Sequence, residues 1–227
     1  GGQQICESGG EIMTKTEIAQ FVAVKLQKSD AASLAILKSF IDRRYEMIWD
    51  SALWRESQGT TSYTVAVDAE EVTLESTVDF PVSARWDDKE ITPINYSAVF
   101  QIDPTLFNDA GAVVNFIVLP KDSDKNARIK LLRKPSVSKP LLILGKLKMV
   151  VLGDDDSPKI NGIDNVLVSM VEGDMLEHTR QYLKAQGKFT EAMNHLNIAK
   201  DLENHQSASQ TRIIPEIAGH WDSNSFI

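Results

Sequence analysis

The sequence is poor in the residues on which several classes of protein depend. It contains a single cysteine, Cys6, so no disulfide can form within the chain. No apolar run approaches the ~20 residues that a membrane-spanning helix needs. No basic region followed by an apolar one marks a secretion signal. These absences predict a protein without internal disulfides and without a membrane partner.

Positive charge is also scarce. The chain has 24 Lys and Arg against 32 Asp and Glu, which gives a formal net charge of −8 at pH 7. Proteins hold DNA mainly by placing Lys and Arg against its phosphates. The acidic balance therefore argues against tight DNA binding by the whole chain, although a local basic face is compatible with it.

Sequence motifs for catalysis and cofactor binding are absent. The chain contains no GxxxxGK[ST], no GxGxxG after a strand, no HExxH, no CxxC and no GxSxG. The four histidines are not spaced as zinc ligands; they are His178, His195, His205 and His220. We therefore expect no catalytic residue, no cofactor and no bound metal.

The acidic run Asp154–Asp156 is the most site-like cluster in the sequence. It lacks the alternating ligands and the terminal Glu of a calcium-binding loop, so it predicts a solvated turn. A weak cation site and a negatively charged loop in a channel are the alternatives. An enzyme with a divergent site, built on this run and the histidines, is the least favoured hypothesis.

Apolar spacing predicts two helices in the first part of the chain. Thr14 or Thr16 can cap the first helix, and Asp30 can cap a second one that runs to about Leu53. In the second helix apolar residues recur every three or four positions, which predicts a packed face. Its main residues are Leu37, Ile41, Tyr45, Ile48, Trp49 and Trp54. Stacking of the two tryptophans on a ligand is the less favoured alternative.

Arg43 and Arg44 fall mostly on the other side of the second helix. The simplest interpretation pairs them with Asp42, Glu46 or Asp50 on the same face. A contact with a neighbouring subunit is left open, whereas a contact with DNA is disfavoured.

Between about Gln58 and Gly153 the apolar period changes to two, which predicts strands. The β-rich runs are Tyr63–Val67, Val72–Leu74, Ile91–Ile94, Ala98–Ile102, Val113–Leu119, Ala127–Leu132, Leu141–Leu144 and Met149–Leu152. No helical stretch between them is long enough for a parallel crossover, so the region predicts a small antiparallel sheet or sandwich.

Helical spacing resumes after about Asn161. Gly173 and Gly187 are expected to weaken or end helical segments, and Thr190 is expected to cap a last helix. After Ser207 large apolar residues continue without a regular period; they are Ile213, Ile214, Ile217, Trp221, Phe226 and Ile227. Exposed, they would promote aggregation, so this arm either folds back on its own subunit or docks on another protein.

The order helix–helix, β region, helix–helix predicts an α+β fold. We expect residues 14–57 and 160–206 to form an antiparallel helical bundle, with an antiparallel β module, residues 58–159, inserted between them. Residues 1–13 are expected to be a flexible leader, whether native or not. Residues 207–227 are expected to form an extended C-terminal arm.

Three segments resemble the head-to-tail adaptor proteins of tailed bacteriophages, including the tail tubular A type. Phe40–Trp54, with its Tyr…Trp…Trp pattern, is similar to the helix that precedes their β region. Ala127–Pro135, followed by Leu141–Leu152 and an acidic loop, is similar to their late β segment. Gly162–Leu202 is similar to their paired C-terminal helices, and the likeness covers roughly residues 17–203.

The resemblance implies a structural protein of the virion neck, made in the host bacterial cytoplasm, and not an enzyme. Such adaptors form a homo-oligomeric ring, usually of twelve copies, between the portal protein and a tail nozzle or stopper protein. Their helices face the portal and the DNA channel, the β module builds the outer or lower wall, and C-terminal tails embrace the portal.

For this chain the resemblance implies that Arg212–Ile227 is the portal-binding arm. Double-stranded DNA would pass through the lumen without sequence-specific binding, which suits an acidic ring. The alternative is another phage ring component, a tail terminator or a head-completion (stopper) protein, that does not bind the portal.

Overall fold

The computed structural model describes residues 13–211, which form two compact units. The helical unit contains the described residues up to Trp54 and from Val151 onwards, and the β unit contains Arg55–Val150. The chain is therefore an α+β protein whose β unit is inserted between two halves of the helical unit. The ends of this insertion lie before the predicted ones at 58 and 159.

Five helices are present in the described residues: α1 (Lys15–Lys25), α2 (Ala31–Asp50), α3 (Tyr96–Ile102), α4 (Asp164–His178) and α5 (Tyr182–Thr211). All but α3 belong to the helical unit. Within it α1 packs on α2 and α4, α2 packs on α4, and α4 packs on α5. Every residue of α4 from Val166 to Leu176 is buried, as expected for a helix that is apolar on most sides.

The first two helices begin at capping side chains. Thr14 and Glu17 form a capping box, in which the Thr14 N–H donates to Glu17 Oε2 at 2.7 Å and the Glu17 N–H donates to Thr14 Oγ1 at 3.2 Å. Asp30 accepts a hydrogen bond from the Ser33 N–H at 2.9 Å. The predicted cap at Asp30 is confirmed, and Thr14 rather than Thr16 caps α1.

Gly173 lies inside α4 and does not end the helix. A Cβ atom at this position would lie 2.7 Å from Cε1 of Phe189 on α5. The glycine therefore allows α4 and α5 to pack closely, and burial of the helix outweighs the low helix propensity of glycine.

α5 runs without a break through Gly187 and Thr190, so the expected helix end and cap at these positions are wrong. The Thr190 hydroxyl instead donates to the Gln186 carbonyl at 2.9 Å, as in a helix interior. The helix also continues to Thr211. The prediction of an extended arm is therefore wrong for residues 207–211.

Nine strands are present in the β unit: β1 (Gln58–Val65), β2 (Glu71–Thr73), β3 (Val78–Trp86), β4 (Lys89–Pro93), β5 (Ala110–Gly111), β6 (Asn115–Leu119), β7 (Arg128–Leu132), β8 (Lys134–Pro135) and β9 (Lys139–Leu147). Seven of them form one sheet in the order β1-β9-β3-β4-β6-β7-β2, and β5 pairs with β8. The large sheet is antiparallel except for the β4–β6 pair, and β5–β8 is also parallel.

Strands from across the sheet contribute to one large apolar cluster. Its buried members are Val65, Leu74, Val78, Ala84, Trp86, Ile91, Val113, Phe116, Ala127, Ile129, Leu131, Leu141 and Ile143. Val65 of edge strand β1 and Val72 of edge strand β2 both pack in this cluster. The Tyr63 hydroxyl also accepts a hydrogen bond from the Glu75 N–H at 2.9 Å. Both edges of the sheet are thus anchored to one core.

Two predicted strands are wrong. Ala98–Ile102 lies in helix α3, where Val99 is buried and Phe100 is 61% exposed. Met149–Leu152 forms no strand, because β9 ends at Leu147 and the run crosses the boundary between the two units.

Candidate interaction surfaces

The side chains that helical spacing assigns to packing in α2 and just after it are all buried. They are Leu37, Ile41, Tyr45, Ile48, Trp49 and Trp54, each at most 3% exposed. Trp54 Nε1–H donates to the Ile48 carbonyl at 2.7 Å, and the Lys159 N–H donates to the Tyr45 hydroxyl at 3.0 Å. Buried aromatic residues whose polar atoms are paired in this way pack the core and are not placed to stack on a ligand.

Arg43 and Arg44 reach across to Asp174 on α4. Arg44 Nε donates to Asp174 Oδ2 at 2.7 Å, and Arg43 Nη2 donates to Asp174 Oδ1 at 3.1 Å. The Asp174 side chain is 2% exposed, against 19% for Arg44 and 63% for Arg43. The hydrogen bond to Asp174 raises the pKa of Arg44. Arg44 therefore stabilises its own subunit, whereas an inter-subunit contact of the exposed Arg43 stays a prediction.

A loop of acidic residues covers the N-terminus of α1. In this acidic loop, Gly153–Asp156, the Asp156 carbonyl accepts from the Lys15 N–H at 2.9 Å. The Asp154 carbonyl accepts from the N–H and the hydroxyl of Thr16, at 3.1 and 2.8 Å. These N–H groups have no partner inside the helix. The loop thus caps α1 and holds negative charge at the positive end of the helix dipole.

The carboxylates of the acidic loop differ in their partners. Asp154 pairs with Lys38 at 2.7 Å, and this hydrogen bond lowers the pKa of Asp154. Asp156 accepts from the Gly153 N–H at 2.8 Å. Asp155 is exposed and has no ion-pair partner among residues 13–211. Within that range no three His, Cys, Asp or Glu side chains are grouped to hold a metal ion.

A positively charged pocket of about 510 Å³ lies at the other end of α1, beside the start of α5. This lysine pocket is lined by Lys25, Lys184 and Lys188 around the single acid Glu172. Glu172 Oε2 lies 3.1 Å from Lys25 Nζ and 3.4 Å from Lys188 Nζ. A hydrogen bond to Glu191 raises the pKa of Lys188, and the neighbouring Glu172 carboxylate raises it further. The lining has an excess of positive charge.

Lys184 is the lysine of this pocket that is most available to pair with an acidic group of another molecule. It is exposed, and it has no ion-pair partner in the described part of the chain. The adjacent Leu183 is 88% exposed. Charge and apolar surface are thus presented side by side at the start of α5.

Burial of α5 within the described chain ends at Leu196. Leu196 is the last buried residue of the helix, and none from Asn197 to Asn204 is buried. Ile198 and Leu202, one turn apart, are each 58% exposed. The helix continues about 20 Å beyond Leu196.

An exposed aromatic cluster lies on the surface of the β unit. The ring centroids of Tyr96 and Phe107 are 4.8 Å apart, and those of Phe100 and Phe107 are 5.6 Å apart. Tyr96 is 51% and Phe100 61% exposed. Aromatic side chains are enriched at protein–protein interfaces, so this cluster is a candidate contact surface.

The predicted arm falls outside the described residues. This applies to all its anchor residues, Ile213, Ile214, Ile217, Trp221, Phe226 and Ile227, and also to residues 1–12 of the predicted leader. Portal binding by the arm therefore stays a prediction from the sequence.

Comparison with known proteins identifies no relative. No protein-family model matches the chain, and no curated protein is significantly similar to it. Within residues 13–211, no helix combines the length and the apolar character that crossing a membrane requires.

Proposed function

We propose that the chain is a ring-forming head-to-tail adaptor of a tailed bacteriophage, which joins the portal to the tail and lines the DNA channel. The observation that carries this proposal is the second half of α5, in which no residue from Asn197 to Asn204 is buried. In a ring this part of the helix has a neighbouring subunit to pack against. Ring closure requires contacts between two different patches of the same chain.

The organisation of the chain supports the proposal. Its helical halves flank a mostly antiparallel β unit, in the order that the adaptor resemblance implies. In the proposed ring the helices form an antiparallel bundle. Residues after the end of α5 form the extended portal-binding arm, with Ile213, Ile214, Ile217, Trp221, Phe226 and Ile227 as its anchors.

The charge of the chain supports a DNA channel that does not retain DNA. A ring of subunits with a net charge of −8 has few cationic contacts to offer phosphates. Double-stranded DNA would then pass through without sequence-specific binding. The tail nozzle or stopper protein is proposed to contact the β unit, whose exposed aromatic cluster suits a protein partner.

Co-expression of the full chain with the portal protein of the same phage tests this function. We expect rings seated on the portal in negative-stain images. Replacing Trp221 and Phe226 by Ala is expected to abolish capture by the portal while rings still form. As a matched control, Tyr96→Ala with Phe100→Ala removes two aromatic rings from the β unit and is expected to leave capture by the portal unchanged.

Two outcomes would reject the adaptor. Rings that never bind the portal would indicate the alternative, a tail terminator or completion protein. A chain that stays monomeric in the presence of the portal would exclude both ring-forming functions.

A further inference from the structure

The two charged surfaces of the helical unit lie at opposite ends of the same helix. The acidic loop contacts Lys15 and Thr16 at the start of α1, and the lysine pocket contains Lys25 at its end. An α-helix of 11 residues is about 16 Å long. The loop of one subunit therefore cannot reach the pocket of that same subunit.

We infer that the acidic loop of one subunit docks on the lysine pocket of the next copy, with Asp155 opposite Lys184. This inference rests on the ring proposed above and names the contact that builds it. Opposite charge at the two ends of one helix makes the chain complementary to a second copy of itself in a head-to-tail arrangement. Such a contact joins two different patches, as ring closure requires.

The charges that would meet are available for the contact. Asp155 and Lys184 are both exposed, and neither has an ion-pair partner in the described residues. The acidic loop is held by hydrogen bonds to α1, and α4 and α5 carry the lysine pocket. Little ordering is therefore needed when the two surfaces meet, which lowers the cost of association.

Apolar side chains flank both charged surfaces. Val151, which precedes the acidic loop, is 66% exposed, and Leu183 beside the lysine pocket is 88% exposed. At the end of α1, Val24 is 70% exposed. Burial of these side chains between subunits would supply affinity, and the charges would set the register and direction of the contact.

A charge-reversal cycle on the full chain tests the contact. Lys184→Glu and Asp155→Lys are each expected to raise the concentration for half-assembly by at least about tenfold, because each places two like charges opposite one another. The double variant restores an opposite pair and is expected to assemble within about threefold of the unmodified chain. Sedimentation velocity at low ionic strength measures assembly, and thermal melting checks that each variant is folded.

A matched pair in the β unit controls for the change of net charge. Lys89→Glu and Asp88→Lys alter exposed residues outside both charged surfaces and are expected to leave assembly unchanged. Any of three results would overturn the contact. The single reversals could assemble normally, the double variant could fail to restore assembly, or the control pair could lose assembly equally. In those cases intact rings of the unmodified chain leave the adaptor proposal standing, whereas a chain that never assembles rejects both.

Discussion

Gly173 and Gly187 lie in adjacent helices but differ in the space around them. A Cβ atom at Gly173 would lie 2.7 Å from Phe189, whereas one at Gly187 would meet nothing within 4 Å. At the residue scale, glycine is therefore needed for packing at the first position, while at the second it only lowers the stability of the helix.

We predict opposite effects of alanine at these two glycines. Gly173→Ala should lower the free energy of unfolding by about 1–3 kcal/mol, because the Phe189 ring must move. Gly187→Ala should raise it by about 0.5–1 kcal/mol, because alanine restricts the unfolded chain and favours the helix. Urea denaturation measures both, and equal signs for the two changes would contradict the packing described for α4 and α5.

The ion pair between α2 and α4 gives a second residue-scale prediction. Asp174→Asn leaves the largely buried Arg44 without its counter-ion and should cost about 3 kcal/mol of unfolding free energy. Arg43→Ala, at a side chain that is 63% exposed, should cost less than about 1 kcal/mol. Chemical denaturation of both variants checks the difference, and similar losses would show that the two arginines do not have these separate roles.

The sequence indicated the packed face of α2 but not the partner of its arginines. Leu37 and Ile41 follow a helical repeat that is visible in a short window. Asp174 lies 130 positions away from Arg44 along the chain, so only the packing of α2 against α4 brings the charges together. The sequence also does not indicate that the acidic loop caps α1. The acceptors of the capping hydrogen bonds are backbone carbonyl groups and not a recognisable capping side chain.

At the element scale, the cap of α2 makes stability depend on pH. Hydrogen bonds from the Ser33 hydroxyl and N–H lower the pKa of Asp30 below its usual value of 3.8. As the pH falls, the unfolded chain therefore binds a proton at Asp30 at a higher pH than the folded chain does. The stabilisation is complete above the unfolded pKa and is lost as the pH falls through the lower pKa of the folded state.

Removal of the cap should reveal this dependence. Asp30→Ala is expected to lower Tm at neutral pH, and the difference from the unmodified chain should shrink as the pH falls below about 4. The control Asp201→Ala removes an exposed carboxylate of α5 that has no ion-pair partner among residues 13–211. A difference for Asp30→Ala that persists unchanged in acid would contradict the role of the ionised cap.

The β elements were the least predictable from sequence. β3, which lies inside the seven-stranded sheet, was missed because its register shifts between Val78 and Phe80 and again between Pro81 and Ser83. These irregularities break the period-two pattern by which strands are recognised. Helix α3 is hard to recognise from the sequence, because seven residues are too few to show a helical repeat and Val99 is the buried side chain among residues 96–101.

At the scale of the whole molecule, the insertion of the β unit follows from a change of apolar period, which the sequence contains. The exposure of the second half of α5 cannot be inferred in this way, because spacing alone assigns Ala199 and Leu202 to the same buried stripe as Leu196. The length of α4, Asp164–His178, determines how far α5 is covered by it. Surfaces that are available to a second subunit can therefore be identified only when the packing of the first subunit is known.

Substitution of the exposed apolar pair on α5 separates assembly from folding. Ile198→Ser with Leu202→Ser should change the unfolding free energy of the single subunit by less than about 1 kcal/mol, since both side chains are exposed. Assembly should be lost. The comparison variant Leu196→Ser alters a buried side chain and should destabilise the subunit by about 2–4 kcal/mol. Normal assembly of the double variant would argue that α5 does not pack between subunits.

Native mass spectrometry of the full chain at low ionic strength tests the central claim, that the uncovered helical surfaces are buried by other copies of the chain. We predict a closed oligomer, and by the adaptor resemblance a mass twelve times the 25.2 kDa of one chain. A single species of 25.2 kDa at every concentration, with amides of α5 beyond Leu196 protected from hydrogen exchange, would contradict it.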